Sequence, residues 1–294
     1  MNLAKRLLLF TVTNIAVLLL LSIVMSVFGV GGYVSQHGLS IPDLLVFSAV
    51  LGFGGSLISL AISKWLAKTM MRVRVIHQPS NEVEDWLVRT VGHLSRQAGI
   101  TTPEVGVYPS RDMNAFATGA RRNSALVAVS TGLLQRMKRD EVEAVLAHEI
   151  SHCSNGDMVT LTLLQGVLNT FVVFLSRVAG FFVDKLVFRS ERGTGIGYFL
   201  TVILTQIFLG ILASFVVAAF SRRREYRADE GAARLVGSRP MISALDALRR
   251  ATVPPAMPES MRAFGIRGGG GGMRALLATH PPLEERIERL RSLG

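Results

Sequence analysis

Between Arg192 and Arg222 the chain has no Asp, Glu, Lys, Arg or His, and Ile196 to Phe220 form one predominantly apolar run whose few polar residues are uncharged. About 20 apolar helical residues cross the hydrocarbon core of a bilayer. Inside that core each backbone polar group must find its partner within its own segment or barrel. A chargeless run of this length is therefore read as a membrane-spanning helix. Three others resemble it: Leu7 to about Val30, Ile41 to about Ala67, and Met158 to Val183, the last with Arg177 near one end. The first follows Lys5 and Arg6 but is longer than a signal-peptide core of about 7 to 15 residues and lacks a small-residue cleavage site, so a retained anchor is expected. The second contains Gly52, Gly54, Gly55 and Ser56, small residues of the kind that let helices pack closely in lipid. For the third and fourth runs a buried hairpin in a large core is the alternative, since length is the main evidence.

Composition agrees with membrane segments. Only 18% of the 294 residues are charged and mean hydropathy is +0.40, whereas a soluble domain is about a quarter charged. The net charge of +11 admits a nucleic-acid partner or an anionic membrane surface. Residues 221–294 hold 14 Arg against 8 acidic residues, +6 of that total, and Arg222, Arg223 and Arg224 abut the fourth run. No basic strip with interleaved aromatics lies on a soluble segment, so no nucleic-acid partner is expected. The single cysteine, Cys153, excludes an intrachain disulfide framework; it reads as a small packed residue.

Basic residues near span ends set orientation. Lys5 and Arg6 precede the first span, Lys64, Lys68, Arg72 and Arg74 follow the second, Arg222 to Arg224 follow the fourth, and the loop from Gly31 to Ser40 has none. Both termini and the central region are therefore expected on the cytoplasmic side, although Lys185, Arg189 and Arg192 would then lie outside. The expected organisation is a transmembrane hairpin over 1–67 (spans about 7–30 and 41–67), a first cytosolic catalytic part over 68–157, a second hairpin over 158–220 (spans about 158–183 and 196–220), and a second catalytic part over 221–294. The segment from Lys64 to His77 mixes Trp65, Met70 and Met71 with basic residues and is expected along the headgroup layer. Residues 265–272, GIRGGGGG, read as a flexible connection.

Within the catalytic parts, Asn81 is an expected N-cap with Glu84 in capping-box position, and apolar spacing sustains a helix to Gly99. Strands are expected at Glu104 to Tyr108 and Ser124 to Ser130, with MNAFATG (Met113 to Gly119) suited to an edge strand. A short helix should follow Thr131-Gly132, and Asp140 should cap the next, with Glu143 completing its box.

That last helix reads AVLAHEISHCSNGD and places His148, Glu149 and His152 in an HExxH arrangement. Residues four apart differ by about 40° round a helix and by about 6 Å along it, so both imidazoles face one side and can hold one metal. Glu149 sits at the flank, able to reach a metal-bound water without ligating. After the fourth run, SRRREYRAD places Glu225 and Asp229 one turn apart. His152 precedes the second hairpin by six residues and Glu225 follows it by five, so an out-and-back hairpin returns both to one surface. Two His and one Glu leave a fourth position for water, as in catalytic zinc sites, and Asp229 can fix the tautomer of a ligating imidazole. A solvated face paired with the neighbouring arginines is the alternative for the two carboxylates. His37, His77 and His93 are assigned to no metal.

MNAFATG, HEISH, SRRREYRAD and THPP, in that order and interleaved with four apolar runs, resemble the HtpX family of membrane-bound zinc metalloproteases, relatives of the integral-membrane CaaX prenyl proteases. The resemblance covers nearly the whole chain. It implies one zinc per chain on His148, His152 and Glu225, with Glu149 as the catalytic acid/base. His280 and Arg286 in THPPLEERIERL resemble a His and Arg pair near the active site of the prenyl proteases, which makes them candidates for holding the transition state. Asn114 and Ala115 are candidates for the strand that pairs with substrate. The implied fold is α+β and mainly helical, with about four transmembrane helices and a cytosolic zincin-like domain built on a small antiparallel sheet. The implied activity is endopeptidase quality control of damaged or misfolded membrane proteins in the bacterial inner membrane under stress. The implied partners are membrane-protein substrates, the bilayer and other membrane quality-control proteases. A CaaX-type protease, which usually needs more spans, and a catalytically silent scaffold are the alternatives.

Overall fold

The computed structural model describes residues 40–120, 124–189, 195–250 and 279–293. The first expected span, His37, Arg192 and the glycine run 265–272 lie outside the described residues. Twelve elements follow in chain order: α1 Ile41–Met70, β1 Arg74–Val75, α2 Glu82–Gln97, β2 Glu104–Tyr108, β3 Ala115–Thr118, β4 Leu126–Ser130, α3 Thr131–Arg136, α4 Arg139–Asn155, α5 Asp157–Leu186, α6 Ile196–Val236, α7 Ser238–Arg250 and α8 Leu283–Arg291. They form two compact units, one of residues up to 58 with 162–214, the other of 59–161 with 215 onward.

The first unit is helical. Helices α1, α5 and α6 each have the length and hydropathy to cross a membrane, at 30, 30 and 41 residues. A methyl group at Gly52 would collide with the backbone of Thr170, so α1 and α5 meet at van der Waals distance there, and the Phe53 ring fills the space over Gly166. Ser56 Oγ donates to the Gly52 carbonyl and accepts from Asn169. Arg177, the charge inside the third run, lies 4.8 Å from the Phe47 ring centroid and donates to the Val173 carbonyl. Asp184 accepts from the backbone N–H groups of Gly195 and Tyr198, which caps α6. Only 11% of the apolar window of α6 is buried, and Phe199, Leu200, Ile203, Leu204, Ile207 and Phe208 are exposed. That exposure speaks against the buried-hairpin alternative, because a core hairpin would cover those side chains.

The second unit is a four-stranded sheet in the order β1-β2-β4-β3, packed against helices. It is mixed, not antiparallel as the resemblance implied: β2 and β4 run parallel, while β1 and β3 pair antiparallel at the two edges. The cause is local. After β2 the chain passes to the outer position, forms β3, turns at Gly119 (φ 139°) and returns as β4 between β3 and β2. MNAFATG thus contributes the edge strand. Ala115, Ala117, Val127 and Val129 face the main core with Leu87, Val91 and Leu94 of α2, Val145, Leu146 and Ile150 of α4, Met241 and Leu245 of α7, and Ile287 of α8. On the other face Phe116, Ala128 and Tyr108 pack with Ala67 near the end of α1.

Two local expectations change and a third is refined. Asn81 does cap α2, accepting from the Glu84 N–H, but the Glu84 carboxylate accepts from the N–H and hydroxyl of Ser80 and pairs with Arg74, joining α2 to β1. Helix α4 begins at Arg139, and the Lys138 N–H donates to Glu141 at 2.9 Å, so Glu141 fills the role expected of Glu143. The segment from Lys64 starts as helix, since α1 runs on to Met70, turns at Arg72 (φ 53°) and enters β1, and Lys64 and Lys68 pair with Glu104 on the sheet.

Candidate active site

The HExxH segment lies on the buried side of α4, and its neighbours explain why. Val145, Leu146 and Ile150 anchor the helix in the core, while Ser151 lies against Gly231 of α6, where a Cβ would come within 2.8 Å of the Ser151 Cβ. That close passage brings the two helices together beside the histidines. Gly156, with φ 64°, ends α4 in the left-handed region that suits glycine and turns the chain sharply into α5.

His148, His152 and Glu225 offer one ligand atom each, all within 4.8 Å of one another. The two Nε2 atoms are 3.1 Å apart, Glu225 Oε2 is 3.4 Å from His148 Nε2, and Glu225 Oε1 is 3.3 Å from His152 Nε2. Four donors at about 2.0–2.2 Å round a tetrahedral zinc stand about 3.3–3.6 Å apart, so this spacing fits one zinc ion. The outward nitrogens agree with that fit. His148 Nδ1 is 2.9 Å from Asp229 Oδ1, and His152 Nδ1 is 2.7 Å from Asp157 Oδ2. An Nδ1–H donated to each carboxylate leaves both Nε2 lone pairs facing the same point.

Arg286 is fully buried and holds Asp229 through two bonds, Nε to Oδ2 at 2.8 Å and Nη2 to Oδ1 at 2.6 Å. His280 Nδ1 lies 2.7 Å from Glu225 Oε2. Arg224 is buried beside the same carboxylate, its Nη2 at 3.4 Å from Oε1. Each Glu225 oxygen is thus flanked by a nitrogen from outside the pair of HExxH histidines.

Burial at this site is nearly complete: His148, Glu149, His152, Glu225, Asp229, His280 and Arg286 are all at most 5% exposed. Burial raises the Glu149 pKa above the ordinary carboxylate range, against the pull of His148 and His152. Among the described residues the Glu149 carboxylate has no hydrogen-bond partner, which leaves it open to water or substrate. Burial alone would lower the His152 pKa, but Glu225 and Asp157 carry it to about 9. Glu225 is held well below its ordinary value despite burial, by His280 and His152. Asp229 is lowered, again against burial, by Arg286 and His148. Burial pushes the Cys153 thiol up to about 12, so it stays protonated.

The edge strand is turned in a particular way. The Asn114 carbonyl accepts from the Ser130 N–H, so the main chain of Asn114 points toward β4. Antiparallel alternation then points the N–H and C=O of Ala115 and Ala117 away from β4. Of the candidates read from sequence, Ala115 therefore turns its backbone away from β4 and Asn114 does not, and all four residues of β3 are buried. His77 and His93 are not part of the ligand cluster. Two residues at the site escaped the sequence reading: Asp157 and Arg224. The signal for Asp157 is the Asn-Gly-Asp step ending the motif, where a helix stops on glycine and an acid immediately follows; for Arg224 there is none beyond its place in a run of three arginines.

The family model described as Peptidase family M48 matches residues 81–293. The chain is 56% identical over 292 residues to the Protease HtpX of Thioalkalivibrio sulfidiphilus (strain HL-EbGR7), covering 98% of this chain and 99% of that one. It is also 56% identical over 293 residues to the Protease HtpX of Pseudomonas putida (strain W619), with the same coverage. Among solved structures, Ste24p of S. mikatae has a TM-score of 0.60 at 17% identity, over 96% of this chain and 67% of that one, a likeness of fold. A family match over most of the chain, and identity above one half along nearly all of it, show that the chain belongs to peptidase family M48.

Proposed function

We propose that this membrane metalloprotease is a zinc-dependent endopeptidase that cleaves misfolded or damaged membrane proteins at the cytoplasmic face of the bacterial inner membrane. The observation that carries the reading is the convergence of His148 Nε2, His152 Nε2 and the Glu225 carboxylate beside an unengaged, buried Glu149. A silent scaffold would have no use for a base kept free next to three spaced ligands.

In this reading His148, His152 and Glu225 hold one zinc ion, which when bound polarises the scissile carbonyl and acidifies a water. Glu149 takes the proton of the attacking water and delivers it to the leaving amine. Burial moves its pKa upward, the direction that suits a group which must both accept and return a proton. Asp157 and Asp229 hold the two imidazoles, and Arg286 holds Asp229, so Arg286 is a positioning residue and not a donor to substrate. His280 rests Nδ1 on Glu225 and leaves Nε2 without a partner; only with a proton on both ring nitrogens would Nε2 donate to the reacting carbonyl. Ala115 and Ala117 turn backbone groups away from β4; both residues are buried, so an extended peptide adds here as a further strand once that edge is uncovered, a mode that binds many sequences without reading side chains. The substrates are membrane proteins, the bilayer is the setting, and residues 68–157 with 221–294 form the cytosolic catalytic domain.

The test is to purify the detergent-solubilised protein, measure zinc per chain, and compare casein cleavage by wild type and Glu149→Gln. About one zinc per chain in both, with cleavage lost in the variant by 100-fold or more, is expected from losing a general base, worth about 10²–10⁴. Equal cleavage would sink the mechanism, and a folded protein without zinc would favour the scaffold.

A further inference from the structure

Two buried guanidinium groups adjoin the ligand set, and their hydrogen bonding differs. Arg286 is bidentate on Asp229 and also near His148. Arg224 is 3% exposed, yet it touches only Glu225 Oε1 through Nη2, and its Nε has no partner among the described residues. His280 mirrors it: Nδ1 lies on Glu225 Oε2, and Nε2 is buried without a partner. Each residue lends one nitrogen to a different oxygen of the same carboxylate and keeps a second nitrogen in reserve. One turn earlier on the same face of α6, Ser221 Oγ is also buried and unpartnered, although Ser151 and Thr160 donate back to helix carbonyls.

Buried polar atoms are nearly always hydrogen-bonded, and an unmatched one is costly, more so on a charged group. An ion pair with Glu225 alone would require only one edge of the Arg224 fork, and a guanidinium that served the ligand carboxylate only would be expected to match it with two parallel bonds, as Arg286 does with Asp229. The planar fork holds Nε–H at a fixed place beside Nη2, so the unused donor lies at the ligand cluster. An extended peptide carries a regular row of carbonyl acceptors, the complement of such a donor.

We propose that Arg224 is a substrate-contacting residue whose Nε–H hydrogen-bonds a main-chain carbonyl of the bound peptide at the reacting bond. The proposal rests on the endopeptidase reading and deepens it. It adds a second set of contacts that read only the peptide backbone, so affinity does not depend on side-chain sequence.

The experiment uses full-length protein in detergent, with Arg224→Lys, which keeps a cation beside Glu225, and Arg224→Gln, which keeps an amide donor. For each, zinc per chain, the circular dichroism spectrum, kcat and KM on a quenched fluorescent peptide, and the Kd of the same peptide for metal-free protein are measured. Metal-free binding reports on the contact independently of turnover. With zinc and fold retained, Arg224→Lys should weaken metal-free peptide binding and kcat/KM by about 10- to 100-fold, the worth of a hydrogen bond to a charged group, and Arg224→Gln should lose less. Unchanged Kd and kcat/KM in both variants would overturn the proposal. So would a loss accompanied by zinc release and reversed by added zinc, because Arg224 would then act only through Glu225. If neither variant holds the native spectrum, Arg224 is a structural ion-pair partner and the proposal fails. The underlying reading fails separately, when wild type binds no zinc or Glu149→Gln cleaves as fast as wild type.

Discussion

His152 is held from behind by a carboxylate that sits on the next helix. Its Nδ1 is 2.7 Å from Asp157 Oδ2, and Asp157, only 1% exposed, is steadied in turn by Arg227 at 3.5 Å. His148 has the equivalent support from Asp229, backed by Arg286. Loss of such an outer contact typically costs about 10- to 100-fold in metal affinity. Asp157→Asn and Asp229→Asn, which keep shape but remove the charge, should therefore each weaken zinc binding by about that factor in a competition titration with a chelator. Glu225→Ala should weaken it further, and an Asp229 variant that loses more zinc than Glu225→Ala would show the acidic pair to be assigned in the wrong order. The contrast between these residues shows what was legible in the chain. HExxH and the Glu225–Asp229 pair have fixed helical spacings, so their faces follow from the sequence. Asp157 lies past the Gly156 break, where no helical period carries through, and Arg224 looks like any member of a basic run beside a span.

At the scale of elements, the sequence marks helices and strands better than their pairing. Helix α2 and strands β2 and β4 lie where periodicity places them, yet alternation within a strand does not say which neighbour it pairs with, and the parallel step between β2 and β4 is set by the route through β3. Capping residues are subject to the same limit. Glu84, spaced as a capping-box residue, is drawn instead to Ser80 and to Arg74, since β1 places a guanidinium beside it. The hydrogen bond from Arg74, with those from Ser80, lowers the Glu84 pKa to about 2 from an ordinary 4.5, although burial opposes the shift. A carboxylate with a depressed folded-state pKa stabilises the fold fully above its unfolded value, and loses that effect as pH falls through the folded one. Glu84→Gln should therefore lower Tm at pH 6, and the gap from wild type should close as pH falls from 4.5 toward 2. A gap independent of pH would mean that Glu84 matters through shape and not through charge.

For the whole molecule, the governing fact is that one helix joins two kinds of environment. Helix α6 has 41 residues, about 60 Å at 1.5 Å per residue and twice the roughly 30 Å of a bilayer core. Its first part exposes Phe199, Leu200, Ile203, Leu204, Ile207 and Phe208, and its second part, from Arg222, carries Glu225 and Asp229 on a buried face. The change of character at Ser221–Arg222 is written in composition, and the helix passes through it without a break and continues to Val236, as the helical spacing of Glu225 and Asp229 requires. The basic excess fits this division: Arg222 to Arg224 follow a span, as positive charges do on the cytoplasmic side. Lys185 and Arg189 run against the rule, and Asp184 beside them is turned inward to cap α6. In the proposed topology the apolar length of α5 and α6 has to outweigh the basic residues of the short connection, Lys185, Arg189 and Arg192. A periplasm-active phosphatase fused after Arg192 should accordingly be active, and the same reporter fused after Arg250 should be silent. Silence after Arg192 would mean that α5 and α6 do not cross, and activity after Arg250 would place the zinc-binding face on the outer side of the membrane.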